Sequence, residues 1–168
     1  ADPSGKAAPP DPAQVGRHAA MKMVLPGARP VIAPDPSLNR WHSAAVGQAL
    51  WLSVNDPTAT KHESLSFMGQ AVSLTARRNG LSFNMGDGHT VHCDATTQWS
   101  ESVEPGTPSP TCGYTYQQAA PEGGYQVTAI TSWDVTWSVL GHTGTVHIEK
   151  AGGQMLPVGE LESVVTRR

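Results

Sequence analysis

The clearest pattern in the chain is a period of two over Tyr125–Val139, YQVTAITSWDVTWSV. Tyr125, Val127, Ala129, Thr131, Trp133, Val135, Trp137 and Val139 fill the odd positions, and the even positions are polar apart from Ile130. Such alternation, built from β-branched and aromatic residues with no Gly or Pro, predicts one long strand, or two joined by a bend, with one face on a core. Shorter patterns predict strands over Val46–Val54, Leu65–Ala76, Leu81–Met85, His89–Cys93, Gly113–Gln117, Thr145–Glu149 and Leu161–Thr166. Turn chemistry separates them. Asn55-Asp56-Pro57 ends the first, and Arg77-Arg78-Asn79-Gly80 predicts a hairpin because Asn-Gly takes the positive φ angles of a tight turn. Gly86-Asp87-Gly88 and Gly141-His142-Thr143-Gly144 reverse the chain again, and Gly152-Gly153 breaks it before the last strand.

Ahead of Ala44 the pattern changes. Residues Ala1–Pro12 are small, polar and Pro-rich, with nothing to bury, which predicts a linker or a disordered end. Asp11-Pro12 reads as an N-cap and first-turn pair, and Ala13–Met23 places Val15, Ala19 and Met23 on one stripe of a short helix that Gly16 weakens. From Leu25 to Pro36 each proline removes a ladder donor, so this segment can lie only as an extended edge or a wrapping arm. The expected organisation is a Pro-rich arm with a short helix over 1–43 and an antiparallel β-sandwich over 44–168, an all-β fold.

Composition narrows the function classes. Charged residues make up 15% of the 168, against about 25% in an average domain, while Gly (17) and Pro (14) are abundant. That is the profile of a turn-rich extracellular β domain. A net charge of −3 without a run of Lys or Arg gives no basic field for a phosphate backbone, so nucleic acid is not an expected partner. The apolar runs are too short and interrupted to predict a membrane span, and no signal-like stretch opens the sequence, which leaves either a cytosolic protein or a mature fragment whose signal has been removed. Cys93 and Cys112 fall at the neighbouring ends of two expected strands, where they are placed to pair, and a disulfide favours an exported protein.

Candidate chemistry is sparse. Gly86 and Gly88 permit a turn that Asp87 can close on its own amides; the metal alternative is a calcium loop using Asp87, Asn84 and Asp94. One carboxylate with two neighbours falls short of the six to eight oxygens calcium takes, so neither metal nor cofactor is expected. His89 and His92 would point to opposite faces of a strand, whereas His142 and His147 flank an expected turn and could converge on zinc. Glu101 and Glu104 sit in a Pro-rich loop, a poor place for a preorganised acid and base, and no nucleophile elbow, Walker loop or dinucleotide fingerprint is present. The aromatic residues are the better clue: Trp133 reads as core, and Trp41, Trp51, Trp99 and Trp137 are candidates for an exposed contact surface for protein or glycan.

Several of these residues resemble a known family. Phe83-Asn84-Met85-Gly86-Asp87-Gly88 resembles the Trp-Asp-Phe-Gly-Asp-Gly turn of PKD (polycystic kidney disease) domains. Tyr114-Thr115-Tyr116, followed by Gly124-Tyr125-Gln126-Val127-Thr128, is similar to that family's His-Thr-Tyr and Gly-x-Tyr-x-Val-Thr elements. The cysteine pair, Leu50-Trp51-Leu52 and the stretch from Trp133 to Trp137 are similar to PKD-like secreted proteins of high-GC Gram-positive bacteria. The resemblance covers Ala44–Gly144, with Phe83 and Asn84 standing where the family has Trp and Asp, which keeps an aromatic anchor and removes a carboxylate. It implies an immunoglobulin-like sandwich and a non-catalytic role in protein contact or spacing at the cell envelope. The alternatives are a carbohydrate-binding accessory domain of an extracellular hydrolase, a structural subunit whose arm pairs with a neighbour, and a hydrolase with a site assembled from distant loops.

Overall fold

A computed structural model describes residues 10–160 of the chain; the strand expected over Leu161–Thr166 and most of the linker expected over Ala1–Pro12 lie outside the described residues. The protein is mostly β, with one α-helix among those residues. In chain order the elements are α1 (Pro12–Lys22), β1 (Pro30–Ala33), a 3-10 turn (Pro36–Leu38), β2 (Ala44–Ala45), β3 (Leu50–Val54), β4 (Thr60–Phe67), β5 (Gln70–Asn84), β6 (Thr90–His92), β7 (Gly113–Tyr114), β8 (Tyr125–Val139), β9 (His142–Leu156) and β10 (Val158–Gly159). The long period-two stretch is indeed one uninterrupted strand, and every odd position of β8 is buried. Contacts divide the chain into two compact units, to which β5, β8 and β9 each contribute one stretch apiece. The division cuts across the expected 43/44 boundary, because the chain up to Leu25 belongs to one unit and Pro26–Pro57 to the other.

The first unit holds α1, β4, the beginning of β5, the end of β8 and the start of β9. The helix forms where the sequence predicts it: Asp11 caps it by accepting a bond from the Ala13 amide, and Pro12 occupies the first turn. Its buried stripe of Val15, Ala19, Ala20 and Met23 packs against Val72, Leu74 and Ala76 of β5 and Trp133, Val135, Trp137 and Val139 of β8. Gly16 is the residue that lets the helix come close, since its Cα faces the Trp137 indole. Two hairpins complete the unit. β4 pairs with β5 from Thr60↔Arg77 to Phe67↔Gln70, so the turn is Met68-Gly69, with φ of 51° and 78°. Leu140-Gly141, with φ of 49° and 78°, joins β8 to β9 in the same way. Both are two-residue turns with positive φ at each position, the geometry that matches strand twist.

The second unit is β-sandwich-like. β1, β3 and β7 form one sheet, in which β1 pairs antiparallel with β3 from Pro30↔Val54 to Ala33↔Trp51. The Pro-rich arm therefore lies as an extended edge along its own chain's sheet. Ile32, Leu50, Leu52 and Val54 from this sheet meet Leu81, Phe83 and Met85 of the β5 region and Tyr125, Val127 and Ala129 of β8 in one core. β2 and β10 make a small parallel pair beside it.

Several turns differ from the expectation. Arg77-Arg78-Asn79-Gly80 is no hairpin but the middle of β5. Gly80 does not adopt a positive φ, and the Asn79 side chain donates to Asp134 Oδ2 of β8 at 2.7 Å, so neighbouring-strand contact replaces the turn. Over the same four residues the buried parity changes from even (Val72, Leu74, Ala76) to odd (Leu81, Phe83). Leu65–Ala76 is split by the Met68-Gly69 turn, and Val46–Val54 shortens to β3 because Gly47 turns at φ 84°. Gly152-Gly153 lies within β9 and does not break it; a Cβ at Gly152 would stand 2.8 Å from the Ala28 carbonyl oxygen, so glycine is there to let the arm pass. His142 and His147 belong to the same strand at odd separation, so they face opposite sides and do not converge.

Candidate functional site

β3 is buried at all five positions, which a strand on the outside of a sandwich cannot manage with one core alone. Its inner face is Leu50, Leu52 and Val54. On the other face, Trp51 is covered by the loop between the two cysteines: its indole N–H donates to the Thr107 carbonyl at 2.7 Å. Burying an indole while leaving its N–H unpaired would cost about 1–3 kcal/mol, so this bond holds ring and loop together. Cys93 and Cys112 stand at disulfide distance with Cα atoms 5.7 Å apart, which ties the two ends of the loop. The expected pairing is thus present.

Between that loop and the segment following β1 lies a cleft of about 410 Å³ that exposes chiefly apolar surface. Pro34, Leu38, Trp51, Trp99, Val103 and Pro105 supply the apolar lining. Asp35, Glu101 and Glu104 supply carboxylates, and Asn39 and Gln48 supply amides. The oxygens of both amides are already engaged. Asn39 accepts from the Trp41 amide at 3.0 Å and donates to the Ser43 carbonyl at 2.9 Å, and Gln48 accepts from the Ala45 amide at 3.0 Å. Asp35 caps the 3-10 turn by accepting from the Ser37 amide at 2.8 Å.

The expected aromatic contact surface is therefore only partly assembled. Trp51 and Trp99 line the same cleft, although Trp51 is 6% exposed and offers only a sliver of ring, and Trp99 is half-buried. Trp137, 5% exposed, is core and not surface: it lies among α1 and the two hairpins, so its position near the end of β8 does not expose it. Trp41 is half-buried elsewhere, with the Arg40 guanidinium 5.3 Å from its ring centroid.

A second feature gathers around Asp87. Gly86 and Gly88 adopt φ of 82° and 95°, and a Cβ on Gly86 would stand 2.6 Å from the Gln126 carbonyl oxygen, so the turn needs glycine there twice over. Asn84 accepts from the Gly86 amide and Asp87 from the His89 amide, each at 3.0 Å. The other Asp87 oxygen accepts from the Tyr114 hydroxyl, and the His89 ring stands 3.4 Å from the carboxylate. Tyr116 stacks on Tyr125 with centroids 4.6 Å apart and donates to the Met85 carbonyl at 2.7 Å. Burial pushes Asp87 up, but the bonds from Tyr114 and His89 outweigh it and hold the carboxyl below its ordinary value. Burial, with the Asp87 charge adding to it, drives Tyr114 and Tyr116 above the ordinary tyrosine range.

Chemically this is a clamp. Both Asp87 oxygens face protein donors, Asp94 is exposed just past Cys93, and no group of three or more His, Cys, Asp or Glu side chains suited to a metal occurs among the described residues. Sequence reasoning had Asp87 in its turn but missed Tyr114 as its partner, 27 positions away. It also set Glu101 and Glu104 aside, and the structure places both on the wall of the cleft.

No protein-family model matches the chain, and neither a curated protein nor a solved structure matches it.

Proposed function

We propose that this protein is a non-catalytic, exported binding module of the cell envelope that holds a partner protein in the Trp51–Trp99 cleft. The observation that carries the reading is the cleft itself: an aromatic and chiefly apolar concavity, one wall a fully buried strand, the other a loop tied at both ends. Apolar concavities with a few placed polar groups are where proteins take up ligands. The disulfide supports an oxidising compartment. An immunoglobulin-like, PKD-like ancestry belongs to the same proposal, and the Phe83–Gly88 turn, clamped by Tyr114, supports it.

A carbohydrate-binding role is the second reading, favoured by the half-buried Trp99, whose ring can stack on a sugar. Against it, the Asn39 and Gln48 amide oxygens that would accept from sugar hydroxyls already accept from backbone N–H groups. Acrylamide quenching tests both readings. Trp99 and Trp41 are expected to quench while Trp51, Trp133 and Trp137 resist. A library of unstructured peptides should then contain members that protect Trp99. Protection by cell-wall polysaccharides alone would move the carbohydrate reading ahead, and protection by neither would overturn the cleft as a binding site.

A further inference from the structure

We infer that the Trp51–Trp99 cleft takes an extended peptide segment presenting an arginine side chain, an inference that deepens the binding reading above and rests on it. Charge is the first argument. Asp35, Glu101 and Glu104 line the cleft, and among the described residues no Lys or Arg does. The ion pairs His89–Asp87 and His147–Asp134 involve none of the three. The cleft thus presents carboxylates beside the Trp99 ring, with no cation among the described residues that line it.

Ring chemistry is the second argument. A guanidinium is planar and weakly hydrated, stacks on an indole face and bonds carboxylates in a fork, so one arginine can use Trp99 and the glutamates together. A neutral ligand finds fewer partners, because the Asn39 and Gln48 amide oxygens and the Trp51 N–H are all bonded within the protein. Size is the third. About 410 Å³ lies within the roughly 300–1,000 Å³ of small-ligand pockets, which suits one or two side chains of an extended segment and not a docked helix.

The test uses three probes on the full chain: a capped Gly/Ser peptide carrying two arginines, the same peptide with citrulline in their place, and chitohexaose. NMR of the indole N–H groups and Trp fluorescence report binding. The arginine peptide is expected to move the Trp99 signal, less so as salt rises, and the citrulline peptide to leave it unmoved. Glu101→Gln/Glu104→Gln is expected to weaken binding about threefold to tenfold; both side chains are exposed, so the thermal melt should not change. Equal binding of the citrulline peptide, or full affinity in the double variant, would overturn the arginine inference while leaving the cleft a protein-binding site. Chitohexaose binding without peptide binding would overturn both in favour of a glycan, and no response to any probe would overturn both outright.

Discussion

The backbone of Gly16 rests on the indole of Trp137: a Cβ built on Gly16 would sit 2.2 Å from Cδ2 and Cε3 of that ring. Gly144 touches the same ring from β9, where a Cβ would sit 2.4 Å from Cζ2. The glycine that weakens α1 in isolation is what allows α1 to pack. Gly16→Ala is therefore expected to destabilise the protein by about 1–3 kcal/mol through overpacking, which exceeds the ~1 kcal/mol that alanine gains in a helix. Urea denaturation checks this, with the exposed Gln14→Ala as a control expected to stay within about 0.5 kcal/mol.

All three tyrosines of the chain sit in one cluster with raised pKa values, Tyr114, Tyr116 and Tyr125. Phenolate absorbance of the native protein should stay flat through the ordinary value of 10.0 and appear only as the fold is lost at higher pH. The sign follows from linkage: a raised folded pKa contributes stability that is complete below 10.0 and lost as pH rises through the folded value. Asp87 behaves in the opposite sense. Its folded pKa lies below 3.8, so its contribution is complete above that value and is lost as pH falls through the lower folded one. Asp87→Asn should flatten the acid limb of a stability–pH curve, whereas early phenolate absorbance in the wild type would show that the cluster is open.

Removing the covalent tie tests the loop. Cys93→Ser/Cys112→Ser is expected to lower stability by about 3 kcal/mol in the chain-entropy treatment of a loop this long. Trp99 should become more accessible to acrylamide in the variant, while Trp133 and Trp137 remain shielded. Unchanged quenching of Trp99 would show that the Trp51–Thr107 bond alone holds the wall in place.

Met68 and Leu140, 55% and 71% exposed, occupy the first position of their turns at positive φ, where Asn and Asp are favoured. Met68→Asn and Leu140→Asn are each expected to raise the melting temperature, by an amount equivalent to about 0.5–1 kcal/mol. Loss of stability in either would mean that these side chains have partners that the isolated chain does not reveal.

What the sequence made legible follows from how local each signal is. β8 was readable from end to end because its alternation is unbroken, and α1 because Asp11-Pro12 marks its start. The β4–β5 hairpin was not, since Met68-Gly69 carries turn chemistry at only one of two positions, and the reversal expected over Gly141–Gly144 falls at Leu140-Gly141 with β9 starting at His142; Asn79-Gly80 carries turn chemistry at both positions and is drawn into β5 by Asp134. Residues 34–51 and 99–107 build the cleft from segments with no shared spacing. Trp51 looked exposable because its strand alternates only weakly, and nothing local shows that the cysteine loop returns to cover it. The turn around Asp87 was legible, its closure by Tyr114 was not.

The arm along β3 bears on how two copies of this chain could associate. Pro30–Ala33 already occupies the edge that a neighbour's arm would need, and the Asn55 amide donates to the Arg29 carbonyl at 2.9 Å beyond it. A competing arm must displace one whose effective concentration, set by a short connection, is on the order of millimolar. Folded molecules mixed at micromolar levels would then keep their own arms, and strand-exchanged pairs would arise only when chains refold at concentrations that rival their own tether.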